Sequence, residues 1–185
     1  MLHRAIPVVC LILAGGILGA LDIDDNPPLV PILNARVTKT GLLIGGQPTP
    51  EQLKAIHDAG YRMIVTLRTD AERGDEGEEA TVERMGLRFV SIPVAGAAGL
   101  TEDNARALDK ALREQDVLPA VVHCSTGQRV SALLGLKAFV VDRMSAAAAI
   151  DLAKSLGMKK FEAALRERIA EICKSDKSRN CEDVR

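Results

Sequence analysis

The segment Pro119–Val141, PAVVHCSTGQRVSALLGLKAFVV, decides how this chain is read. Ala120–Val122 is short, apolar and β-branched, as a buried strand requires, whereas the apolar run Val130–Val141 is too long for one and predicts a buried helix. Between them lie His123, Cys124 and a polar loop that closes on Arg129. A loop entering a helix N-terminus points several backbone N–H groups into one concavity and adds the positive end of the helix dipole, so anions bind there. Gly127 supplies the backbone freedom of so tight a loop. The same field, with a guanidinium nearby, favours a thiolate over a thiol and makes Cys124 a candidate nucleophile. Arg129 offers a planar fork of donors that matches the oxygens of a phosphate in a way lysine cannot.

Working outward, the rest of the chain supplies a scaffold. Arg36–Gly46 reads as two short extended pieces around Lys39 and Gly41. Thr49, Pro50 and Gln52 form a helix start that buries Leu53 and Ile56 and ends at Gly60. Met63–Leu67 is a strand, Glu78–Met85 an acidic helix, and Phe89–Val94 another strand. Thr101 caps a helix with Ala105, Leu108 and Leu112 on one face, and two more helices begin near Ser145 and Lys159. Strands alternating with helices predict an α/β domain: a mostly parallel sheet of about four to five strands with helices on both faces. In such sheets ligands gather beyond the carboxyl ends of the strands, where Arg68, Thr69, Asp70 and the loop Val94–Leu100 also emerge.

The Cys-(x)n-Arg loop after a buried strand resembles the cysteine-dependent protein tyrosine and dual-specificity phosphatase superfamily. Four landmarks in order resemble one bacterial branch of it, the phosphatase-like domain of beta-lactamase hydrolase-like proteins: GGQPTPEQL (Gly45–Leu53), AGYRMIVTLR (Ala59–Arg68), MGLRFVSIPV (Met85–Val94) and VVHCSTGQRVSAL (Val121–Leu133). They span most of Arg36–Asp142. The resemblance implies a tyrosine/dual-specificity phosphatase-like fold and a phosphoric monoester hydrolase working through a cysteinyl phosphate. Cys124 would be the nucleophile, and Ser125, Thr126, Gly127, Gln128 and Arg129 would bind the phosphoryl oxygens. Asp70 would be the general acid, with Glu102 and Asp103 as alternatives, since Ala95–Gly99 holds no acid. Gln47 reaches the same edge or caps the turn at Pro48. His123 would orient the loop, and His57 is structural.

Tyrosine phosphatases place five residues between cysteine and arginine; here Ser125, Thr126, Gly127 and Gln128 intervene, and Val130 stands where their arginine would. A loop of this length also resembles the rhodanese family, so a sulfurtransferase with a Cys124 persulfide is a second reading. An inactive anion-binding module is a third. Ser131, one position late, is a poor partner for the thiolate.

With 185 residues and a formal net charge of −1, the chain suits one domain and gives no global reason to expect nucleic acid as a partner. One Tyr, three Phe and no Trp leave no stacking platform for bases. Scattered histidines and cysteines show no metal-ligand spacing, so no metal or cofactor is expected, only a phosphorylated substrate, protein or small molecule. Residues 1–20, with Arg4 before the apolar run Ala5–Ala20 and acids from Asp22 onward, have the layout of an export signal or an N-terminal anchor. The domain is therefore expected outside the cytoplasm, periplasmic or extracellular, with a membrane tether only through residues 1–20. Residues 21–35 read as a leader, 36–173 as the phosphatase-like domain and 174–185 as a loose charged tail. If residues 1–20 are removed as a signal, Cys10 goes with them; Cys173 and Cys181 could then pair, which would leave Cys124 as the free thiol.

Overall fold

A computed structural model describes residues 27–74 and 77–181. Among these lie five strands and seven helices: β1 (Arg36–Val37), β2 (Leu42–Gly45), α1 (Pro50–Asp58), β3 (Met63–Thr66), α2 (Asp70–Arg73), α3 (Glu78–Arg84), β4 (Arg88–Ser91), α4 (Glu102–Arg113), β5 (Ala120–His123), α5 (Gln128–Val140), α6 (Ala146–Ser155) and α7 (Glu162–Ser175). The sheet order is β1-β2-β5-β3-β4, with β1 antiparallel to β2 and every other pairing parallel. The expected fold class is therefore the observed one.

Alternation along the strands divides the core. Leu42, Ile44, Met63, Val65, Ala120 and Val122 face α4 to α7, while Leu43, Ile64 and Val121 face Leu53 and Ile56 of α1 and Val82 of α3. Helix α5 packs against α4, α6 and α7 and is buried on nearly all sides, which is why it is apolar all round. Helices α1, α2, α4 and α6 start at Thr49, Thr69, Thr101 and Ser145, whose hydroxyls accept from the backbone amide three residues on.

Three details differ from the sequence reading. Helix α2 was not expected; its Thr69 and Glu72 close a capping box that the pattern Thr-x-x-Glu encodes. The leader expected over 21–35 is packed from Pro27 onward, with Val30 and Ile32 buried and the Tyr61 hydroxyl donating to the Pro28 carbonyl. The tail, expected to be loose apart from a pairing by Cys181, is fastened at further points as far as that residue. Cys173 and Cys181 form a disulfide, the Ala146 amide donates to the Asn180 carbonyl, and Arg179 donates to the carbonyls of Phe139 and Val140. The segment 1–20 lies outside the described residues. No helix of the described residues is long and apolar enough to cross a membrane.

Candidate active site

Strand β5 is central, and its last residue, His123, is in register with Gly45 of β2 and Thr66 of β3. The next residue is therefore delivered to the carboxyl edge between two flanking strands. There the Cys124 amide donates to the Gly45 carbonyl, and the Gly127 amide donates to Cys124 Sγ at 3.1 Å. Gly127 is the N-cap of α5 at φ +85°, and a Cβ there would stand 3.2–3.3 Å from the backbone of Gly45. Only glycine turns the chain into the helix at that distance. The loop is pinned from outside as well: Asn34 Nδ2 donates to the Thr126 carbonyl at 3.0 Å, and Gly46 bridges to Thr126. Among the described residues Cys124 is the free cysteine, and it is 1% exposed.

Arg129 leaves the first turn of α5 and is held on both edges. Its Nη1 donates to the Val94 carbonyl at 2.8 Å and to Glu72 Oε2 at 2.7 Å; its Nη2 donates to Glu72 Oε1 at 2.6 Å and to Ser125 Oγ at 3.0 Å. Ser125 Oγ in turn donates to Glu72 Oε1 at 3.1 Å. This bidentate fork keeps the Glu72 carboxyl ionised, with its pKa down at about 2, helped by its bonds to Thr69 and Ser125. Arg129 is pushed the other way, first by Glu72 and then by the attraction of Cys124. The Cys124 thiol, the Arg129 guanidinium and the Ser125 hydroxyl are thus brought together, beside a Glu72 carboxylate that sequence reasoning missed.

Asp70, the expected general acid, faces solvent. Its side chain is 83% exposed and is spent on Arg73 one helical turn away, because α2 turns successive residues about its axis and presents Glu72 rather than Asp70 to the loop. The alternatives also lie elsewhere: Glu102 pairs with Arg106, and Asp103 is exposed on α4. Of the expected substrate-binding residues, Ser125 faces Arg129. The Gln128 side chain turns away, donating to the Gly157 carbonyl and accepting from the amides of Lys159 and Lys160. Ser131 Oγ donates to the carbonyls of Gly127 and Leu156.

Behind the loop runs a buried polar chain. His123 Nε2 lies 3.2 Å from Glu78 Oε1, an ion-pair distance without hydrogen-bond alignment. The same Oε1 accepts from Gln47 Nε2 at 2.9 Å, Gln47 Oε1 accepts from Arg68 Nη1 at 2.8 Å, and Arg68 Nη2 donates to the Glu72 carbonyl. Gln47, left between two roles by the sequence, is thus a link between β2 and α3. Among the described residues no group of three or more His, Cys, Asp or Glu side chains could hold a metal ion.

The family model described as DSP-PTPase phosphatase fused to NAD+ kinase matches residues 33–171. A beta-lactamase hydrolase-like protein of Xylella fastidiosa is 33% identical over 107 residues; the match covers 56% of this chain but only 24% of that protein. Among solved structures, a candidate phosphatase from Shewanella putrefaciens superposes with a TM-score of 0.55 at 22% identity, covering 76% of this chain and 91% of the other. The catalytic core of the PP-IP phosphatase SIW14 from S. cerevisiae does so with a TM-score of 0.55 at 16% identity, over 80% of this chain and 95% of that one. TpbA of P. aeruginosa gives 0.54 at 16% identity, over 80% and 91%.

Proposed function

Because the chain belongs to the family described as DSP-PTPase phosphatase fused to NAD+ kinase, we propose that it hydrolyses a phosphomonoester with Cys124 as the nucleophile. The observation that carries this is the convergence of Cys124 Sγ, the Gly127 amide and the Arg129 guanidinium on one strand-to-helix loop. The sulfur attacks phosphorus, the ester P–O bond breaks, and the leaving oxygen departs with a solvent proton. The amides of the loop and the Arg129 fork stabilise the phosphoryl oxygens. Water then attacks the cysteinyl phosphate, the S–P bond breaks, and orthophosphate and the thiolate are released.

Glu72 has a definite place in this scheme. Its two oxygens take up donors of Arg129 and Ser125 that a phosphoryl group would use. Substrate therefore displaces one anion with another, and with the side chain of Glu72 36% exposed, the carboxylate has solvent to move into. We place the domain outside the cytoplasm on the layout of residues 1–20, and the Cys173–Cys181 disulfide supports an oxidising compartment.

The test is a side-by-side assay of the purified protein on an aryl phosphate and on thiosulfate with cyanide. Hydrolysis of the aryl phosphate, lost on Cys124→Ser by a factor of about 10³ or more, is the expected result. Thiocyanate formation without phosphate release would instead assign a sulfurtransferase.

A further inference from the structure

Beside the Cys124–Arg129 loop there is a cavity of about 270 Å³ whose wall includes Thr126 and Gln128. Its other walls carry three cations, Arg36, Lys159 and Lys160, and no acidic residue. None of the three has a carboxylate partner among the described residues. The carboxylate beside them in sequence, Glu162, is turned onto Lys154 and Arg166. Among the described residues most arginines sit in ion pairs, so Arg36 stands out, and with Lys159 and Lys160 it makes a local excess of positive charge around one hollow.

The cluster is built onto the catalytic loop rather than merely near it. Gln128 Oε1 accepts from the amides of both Lys159 and Lys160, at 2.8 and 3.1 Å, and Gln128 Nε2 holds the Gly157 carbonyl at 2.9 Å. Gly157, at φ +94°, lets the Arg36 guanidinium lie against the backbone: a Cβ there would come within 2.7 Å of Arg36 Nη1. Asn34, whose carbonyl accepts from Arg36 Nη1 at 3.4 Å, also holds the Thr126 carbonyl. Two elements far apart in sequence, the start of β1 and the turn between α6 and α7, therefore present their cations at the rim of the same loop. At this volume the hollow is smaller than a site for a whole drug-sized ligand and suits one further group of a molecule already held next door.

We propose that this hollow is a second anion subsite, and that the substrate is a small polyphosphorylated molecule whose second phosphate is held by Arg36, Lys159 and Lys160 while the first lies at Cys124. This rests on the phosphatase reading for the first phosphate. An arginine fork and two ammonium groups suit a multiply charged phosphate, and opposite charge concentrated at the mouth of a site raises the local concentration of such a substrate.

The test is calorimetric binding of orthophosphate and of tripolyphosphate to the full chain carrying Cys124→Ser, at fixed ionic strength. Tripolyphosphate is expected to bind at least tenfold more tightly. The triple variant Arg36→Gln, Lys159→Gln, Lys160→Gln should reduce that ratio to about twofold. A control that removes the same charge elsewhere, Lys110→Gln, Lys174→Gln, Lys177→Gln, should retain it. Equal affinities in the parent protein, a ratio that survives the first variant, or an equal fall in the control would each overturn the subsite. Because the readout is binding without turnover, failure of the phosphatase reading appears separately, as an absence of Cys124-dependent aryl phosphate hydrolysis.

Discussion

Two carboxylates stand at the carboxyl edge of this sheet, and they are placed very differently. Glu72 lies on Arg129 with its side chain 36% exposed, whereas Glu78 lies beside His123 at 6% exposure against 0%. The first pair has water beside it and can be opened by a competing anion. The second is sealed behind the loop, and its carboxylate also anchors Gln47, so nothing replaces it when it is removed. A half-open ion pair contributes little to stability, while a buried polar group stripped of its partner costs the full desolvation of what remains. The difference teaches that one loop is served by a replaceable contact in front and a fixed one behind.

The larger expected effect is on the buried side. Glu78→Ala should destabilise the protein by about 2 kcal/mol or more, since it leaves the Gln47 amide only its long bond to the Pro48 carbonyl and leaves His123 facing a cavity. The denaturant midpoint would report it, and a change within about 0.5 kcal/mol would make the two carboxylates equivalent and remove the contrast.

The smaller effect is in front. Glu72→Ala should shift stability by less than about 1 kcal/mol at pH 7, yet tighten the binding of orthophosphate, because the internal competitor is gone. Weaker phosphate binding would instead make Glu72 a support that holds Arg129 in place. The pH dependence has a definite sign. A carboxyl at 4.5 in the unfolded chain and about 2 in the fold binds fewer protons when folded, so its stabilisation is full above 4.5 and fades as pH falls toward 2. The stability difference between the wild type and Glu72→Ala should vanish over that window in acid-titrated melts.

Much of this architecture was legible because the chain states it in periodicity. The apolar run 130–141 announces α5, the capping residues Thr49, Thr101 and Ser145 announce three helix starts, and Cys124, Gly127 and Arg129 announce the loop. What escaped was pairing across the sheet edge. Thr69-x-x-Glu72 carries the signature of a capping box and could have revealed α2, but nothing in its spacing says that Glu72 reaches Arg129, 57 positions away. Asp70 attracted the general-acid role by lying just beyond a strand. One helical turn decides which of Asp70 and Glu72 faces the loop, and strand position alone does not give that rotation. Glu78 looked like an ordinary acidic first-turn residue, and only the packing of α3 against β5 makes it a buried partner. Beyond a pairing by Cys181 the tail looked loose, because its lysines and serines mask a further anchor, Arg179, whose partners lie at the end of α5.

The most direct measurement of the central claim is to quench a reaction with radiolabelled aryl phosphate in mid-turnover and locate the label by peptide mapping. The account predicts one phosphoryl group on the peptide that contains Cys124, lost as turnover ends and absent from Cys124→Ser. Label on any other residue, with hydrolysis undiminished in Cys124→Ser, would contradict it.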